Sequence, residues 1–189
     1  GLNSLLIKFS ATAVAVLGVY YKVQSFVFLP VFGLNQGLLP ILGYNYGAKN
    51  RRRLTRTFLI GISSAMAIMV FGTVLFHAIP GLIMSMFNAE DEMMRIGVKA
   101  LRIISLCYPF AAIGIIVSTF FQATGHGVYA LISSILRQLV LLLPFAYLLA
   151  YTVGLDGVWW SYLISDVGSV IVTLYLLRKL WKDEISLLS

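Results

Sequence analysis

Apolar residues in this chain run in stretches of membrane-crossing length, and strict apolar–polar alternation is absent. Residues 58–79 contain no Asp, Glu, Lys or Arg, and neither do residues 103–123. Residues 129–150 are interrupted by Arg137 and Gln138, and residues 158–177 by Asp166. Upstream, residues 12–46 form a longer stretch that includes Lys22, Pro30, Pro40 and several glycines. As a helix it would extend about 50 Å, enough to cross the hydrocarbon core and enter both headgroup zones if tilted or kinked. Crossing that core takes about 20 helical residues, whereas a barrel strand needs only about 9 to 11 and must alternate. The pattern therefore predicts helices, which close their own backbone hydrogen bonds in lipid. Residues 1–7 read as the tail of a preceding span.

The connections orient the spans. Lys49, Arg51, Arg52, Arg53 and Arg56 follow the first full span directly, which places that junction in the cytoplasm. Glu90, Asp91 and Glu92 then belong on the other side. Gly125, His126 and Gly127 make a cytoplasmic turn, and Gly154, Asp156 and Gly157 an outer one. The last helix returns inward to Arg178, Lys179 and Lys182. Five crossings satisfy this alternation. Arg95, Lys99 and Arg102 would stand at the outer edge, against the bias, but their spacing puts them on one helical face. A short amphipathic entry to the next span would hold them at the interface or against protein.

Composition agrees. Hydrophobic residues make up 60% of the 189 residues and charged residues 11%, with a mean hydropathy of +0.93. A soluble domain carries roughly 25% charged residues, so this chain has too few to cover a water-facing surface. The fold class is therefore all-α, a polytopic membrane bundle of about five complete transmembrane helices plus the end of another. The net charge of +7 fits anionic headgroups better than nucleic acid, because the basic cluster lies between membrane-length apolar runs. No phosphate loop, dinucleotide fingerprint, zinc-ligand cluster or nucleophile elbow points to an enzyme, and no cofactor is implied. Cys107, the single cysteine, allows no internal disulfide and reads as an inert buried thiol. His77 and His126 stand apart from any metal-ligand pattern.

Polar residues within the spans are the functional candidates. Asp166 and Arg137 are costly against lipid and should face protein or a wet cavity; they fall near the middles of successive antiparallel helices, within reach of an ion pair. Gln24, Asn35, Gln36 and Asn45 lie along the long first span, and Gln122 and Gln138 in later ones. Such amides either bond between helices or line a cavity. Around Asn35 and Gln36, the residues Pro30, Gly33, Gly37 and Pro40 interrupt or loosen the helix, which makes this stretch a gating or hinge candidate as much as a packing surface. Gly43 and Gly47 have the small-xxx-small spacing of close helix contacts. Tyr44, Tyr46, Trp159, Trp160 and Tyr162 read as interfacial anchors.

The run PVFGLNQGLLP at 30–40, followed by GYNYGAKN at 43–50 and a basic turn, resembles the start of the carboxy-terminal lobe of the multidrug and toxic compound extrusion (MATE) transporters. FQATG at 121–125, LRQL at 136–139 with Pro144, and LDGVW at 155–159 followed by Asp166 are similar to later landmarks of that lobe, especially in its bacterial branch. The resemblance covers nearly the whole chain. It implies one lobe of a twelve-helix carrier in the bacterial cytoplasmic membrane, with the amino-terminal lobe and an initiator methionine missing from this sequence.

On that resemblance the chain supplies the end of the seventh helix and helices eight to twelve. The implied activity is export of cationic or amphipathic compounds in exchange for protons or sodium ions by alternating access. Membrane lipids and the missing lobe would be the partners. Some members carry a carboxylate in the tenth helix, but residues 108–116 hold no acid, so the coupling ion stays open. Two alternatives remain: a flippase for lipid-linked oligosaccharide or polysaccharide, which calls for a larger and more basic cleft, and a noncatalytic membrane scaffold.

Overall fold

The computed structural model describes residues 1–188. After a short helix α1 (Leu2–Leu6), the chain runs through α2 (Ala11–Gly47), α3 (Arg51–Ala78), α4 (Pro80–Ser85), α5 (Asp91–Ser105), α6 (Tyr108–Ala123), α7 (Gly127–Ile135), a π-helical turn (Leu136–Leu142), α8 (Leu143–Thr152) and α9 (Leu155–Asp183). Four helical stretches are long and apolar enough to cross a membrane: α2, α3, the continuous 127–152 unit, and α9 with its extension. The α5–α6 pair, bent by 46°, makes the fifth. Pro109 sits in the first turn of α6, where its missing N–H costs nothing, and the bend falls at Leu106 and Cys107, between the end of α5 and the start of α6. The amphipathic entry expected before the third full span is α5: Arg95, Lys99 and Arg102 are exposed while Gly97, Ala100, Leu101 and Ile104 are buried.

Helix α2 starts where Ser10 accepts a hydrogen bond from the Ala13 amide at 3.1 Å, which satisfies one otherwise free donor. It continues through Pro30 and Pro40 without a break. Both prolines lie on its exposed side, where the ring displaces no neighbouring helix. Its close is matched by the start of α3, where the Asn50 side chain accepts from the Arg53 amide at 3.0 Å. Gly61, Ala65, Met69, Gly72 and Phe76 are all buried on α3 and recur every three or four residues, so they form one stripe. That stripe packs on α2: a methyl added at Gly61 would meet Leu38 at 2.5 Å, and one at Gly72 would meet Val27 at 2.5 Å. Without a hydrophobic force between helices in lipid, this close approach and its dispersion contacts hold the pair together.

The 127–152 unit was expected as a plain helix and is not one. Residues 136–142 take the wider π winding just before Pro144. Proline offers no N–H to the carbonyl four residues back and its ring crowds that carbonyl, so the helix widens ahead of it. At the following corner Gly154 has φ +89°, which a side chain would resist.

Two aromatic expectations are corrected. Trp159 is fully buried and Tyr162 is 9% exposed, so neither is an interfacial anchor; only Trp160, at 40%, is open. Gly157 explains this. It sits against the Leu149 carbonyl, which draws the start of α9 onto α8 and turns Trp159 inward. Tyr46 is also tied into protein, donating to Glu184 Oε2 at 2.8 Å, while Tyr44 is exposed. Of the Gly43–Gly47 pair, a methyl added at Gly43 would lie 3.4 Å from the Ala123 carbonyl oxygen, and one at Gly47 would meet nothing.

Gly157→Ala would put its methyl 2.4 Å from the Leu149 carbonyl oxygen, and backbone cannot swing aside. It should cost about 1–3 kcal/mol, read as a lower thermal midpoint of the detergent-solubilised protein. Gly18→Ala, with open space at that position, should leave the midpoint unchanged or higher. Equal midpoints for the two variants would refute the proposed α8–α9 contact.

Candidate functional site

Two cavities open between the helices of the bundle, and Arg137 lines both. The first, of about 140 Å³, lies among α2, α6, α7 and α9 and is walled mainly by hydroxyls and amides, including Asn35, Ser118, Thr119, Gln122, Ser133 and Thr173. The second, of about 100 Å³, is lined by Tyr20, Tyr21, Gln24, Cys107, Gln138, Tyr162 and Asp166. Arg137 Nη1 stands 3.6 Å from Asp166 Oδ1. Asp166 is buried and the Arg137 side chain one-third exposed, so an ion pair joins α9 to the π-helical turn at the second cavity, and Arg137 also borders the first.

The hydroxyl wall is built across helices. Thr119 donates to the Asn35 amide oxygen and also reaches the Ile115 carbonyl at 3.0 Å. Thr173 donates to Ser133 Oγ at 3.1 Å, and Ser169 to the Ser133 carbonyl at 3.4 Å. In the second cavity the Tyr21 and Tyr162 hydroxyls share a hydrogen bond of 2.8 Å. The Gln24 amide oxygen is buried there without a hydrogen-bond partner among the described residues. A guanidinium has five N–H donors and Asp166 is Arg137's only ion-pair partner among the described residues, so the site retains donors facing open space.

Asn35, Gln24, Arg137 and Asp166 are thus brought to the two cavities, and Gln138 lines the second although its side chain is exposed. Gln36 is exposed on α2 and lines neither cavity. Pro30, Gly33, Gly37 and Pro40 are exposed too, and neither Gly33 nor Gly37 has a neighbour within contact range. Asn45 is buried and donates to the Ile41 carbonyl at 2.8 Å, a local bond.

Sequence reasoning passed over Ser133, Ser169, Thr173 and Thr119. A signal was there: Ser161, Ser165, Ser169 and Thr173 recur every fourth residue along α9, and all are buried. It also set His126 aside. The structure places His126 Nε2 3.0 Å from Glu184 Oε1, with Nδ1 3.2 Å from the Thr124 hydroxyl, so His126, Glu184 and Tyr46 tie three chain segments together at the basic end. Among the described residues no group of three His, Cys, Asp or Glu could hold a metal.

Membrane-length helices around a hydroxyl-lined, ion-paired interior define a multi-spanning membrane protein with a polar core. The chain belongs to the MatE family, matching it over residues 2–148. It is 27% identical over 180 residues to the multidrug export protein MepA of Staphylococcus aureus, covering 94% of this chain and 40% of the relative. It is 25% identical over 178 residues to MepA of Staphylococcus haemolyticus, covering 94% and 39%. The chain therefore spans about 40% of the length of the curated relatives it matches. Among solved structures, 99% of it superposes on an inward-facing multidrug resistance MATE family transporter of the MOP superfamily, with TM-score 0.86, 27% identity and 43% of that chain covered. It superposes equally on an outward-facing one, with TM-score 0.89, 26% identity and 42% covered.

Truncating one member of this half-buried pair leaves the other charge uncompensated, at a cost below the about 3–5 kcal/mol of a fully buried pair, whereas replacing both with apolar groups is often near neutral. Asp166→Leu or Arg137→Leu alone should sharply reduce folded protein recovered from membranes, and the double variant should recover most of it. A double variant no better than the worse single one would disprove the pairing. The charge swap Asp166→Arg with Arg137→Asp should give partial recovery.

Proposed function

We propose that this chain is the carboxy-terminal lobe of a two-lobed bacterial efflux antiporter of the cytoplasmic membrane, with residues 49–56 and the carboxy terminus on the cytoplasmic side. It would export cationic or amphipathic compounds in exchange for protons or sodium ions. The observation that carries the reading is a pair of polar cavities between otherwise apolar helices, both bordered by Arg137, with Asp166 ion-paired to it in the second. Polar groups at this depth persist where they serve a pathway. Family membership and the multidrug export names of the relatives supply the substrate class. A wide basic cleft would favour a lipid-linked oligosaccharide carrier; the small cavities here, with Arg137 as their one basic residue, favour efflux.

In this reading Asn35 and Gln24 offer separate polar contacts along the wall of a larger space completed by the rest of the carrier, where apolar side chains hold the substrate's body. The Arg137–Asp166 pair is the coupling element. Its carboxylate is exchanged between the guanidinium and the coupling ion as the access states interchange, and the ion's unequal affinity for the two states drives release. Superposition of nearly the whole chain on both inward- and outward-facing relatives supports a transition in which this lobe moves largely as one body. Pro30, Gly33, Gly37 and Pro40 would then act at the surface that faces the rest of the carrier.

The test is cationic-dye transport by the full-length protein in vesicles, under sodium and proton gradients imposed separately and with protein abundance controlled. One gradient should drive transport, identifying the ion. Asn35→Ala should lower the rate about fivefold, the equivalent of about 1 kcal/mol, and Gln36→Ala much less. Asp166→Asn should abolish the dependence on the gradient. Dye movement indifferent to both gradients would refute antiport, and an unchanged Asn35→Ala rate would remove Asn35 from the cavity.

A further inference from the structure

An open groove of about 990 Å³ runs along α3 and the end of α9 at the basic end of the bundle. Arg51, Arg52 and Arg56 rim it, and Leu59, Ile60 and Trp181 are among its walls. Leu59 and Ile60 are 55% and 56% exposed, on the side of α3 opposite the stripe that packs on α2. Trp181 is held in place by Phe120, stacked at 5.8 Å between ring centres.

Among the described residues the rim lacks an acidic partner on two counts. No described carboxylate stands within ion-pair range of the three arginines. Arg51 donates to a neutral acceptor, the Ser186 carbonyl, at 3.4 Å. The arginines also crowd the start of α3, whose first turn holds no acid, so they oppose the positive end of the helix dipole. An anion here would relieve both. Guanidinium forks match phosphate oxygens bidentately, and the apolar wall runs from the rim into the hydrocarbon zone.

We infer that this groove is a binding site for an anionic phospholipid of the leaflet at this end, independent of the transport cavity. The phosphate lies among Arg51, Arg52 and Arg56, and an acyl chain lies along Leu59 and Ile60 against the Trp181 ring. A soluble phosphate compound would use the rim and leave the wall bare, so the wall is what selects a lipid.

The experiment is native mass spectrometry of the full-length protein released from micelles doped with phosphatidylglycerol or with phosphatidylcholine of the same acyl chains. The wild type should retain phosphatidylglycerol in preference, on the order of tenfold or more given three basic groups. Arg51→Gln/Arg52→Gln/Arg56→Gln should lose the preference. The matched variant Arg178→Gln/Lys179→Gln/Lys182→Gln, which removes equal charge from the same end, should keep it. Arg52→Gln alone should weaken it and serves where the triple variant does not fold. Glycerol phosphate should compete poorly against the intact lipid. Equal retention of the two lipids, equal loss in the matched variant, or full competition by glycerol phosphate would each overturn the assignment.

Discussion

Hydrocarbon offers no hydrogen bonds, and that single constraint orders this structure. Every backbone amide within the spans must be satisfied by its own helix, and every polar side chain must turn inward or reach an end. Helices α2, α3 and α9 obey by length and composition. Most of the interior obeys by pairing, Thr119 with Asn35, Thr173 with Ser133, Tyr21 with Tyr162 and Arg137 with Asp166, while the Gln24 amide oxygen, the Tyr108 hydroxyl and the Trp159 ring nitrogen are buried without a hydrogen-bond partner among the described residues. The outward faces remain apolar, as exposed Phe26, Phe71 and Leu139 show. In water these would be a liability; in lipid they are the solvated surface.

Close packing does the remaining work. Small residues on α3 admit Leu38 and Val27 of α2, and Gly97 on α5 admits Met84 of α4. These contacts bring backbones together where burial from water supplies no drive. The polar cavities survive because the helices around them are fixed by such contacts elsewhere. Phe58, Phe120 and Trp181 anchor one end of the bundle, and the buried start of α9 anchors the other.

Much of this was legible in the residues themselves. Apolar run length located the spans, although α3 begins and α9 ends well outside the uncharged runs because charged residues continue both helices, and the charges of Arg95, Lys99 and Arg102 foretold a separate entry helix, because one-face spacing survives any tertiary context. Asp166 and Arg137 were legible as partners because lipid leaves two lone charges little else to do. What escaped was local or rotational. Asn35 and Gln36 are neighbours in sequence, but about 100° apart around a helix, so one enters a cavity and the other does not; only the packing of α2 decides which. Trp159 was misjudged because tryptophan near a helix start usually marks an interface, and nothing in composition reveals that Gly157 would let α9 settle against Leu149. The hydroxyl row on α9 was readable by its spacing, yet serines draw less attention than charges. His126 finds Glu184 across 58 positions of chain, a distance no local pattern spans.

The widened turn at residues 136–142 bears on how relatives of this chain should be compared. A π turn sweeps less angle per residue than an α turn, so side chains before and after it are out of phase with an ideal helix. Arg137 stands at its start and Pro144 just past its end. In a relative where the same stretch winds as a regular helix, a one-residue gap opposite this turn is a real structural step. Placing the gap elsewhere would assign Arg137's role to a residue that faces lipid.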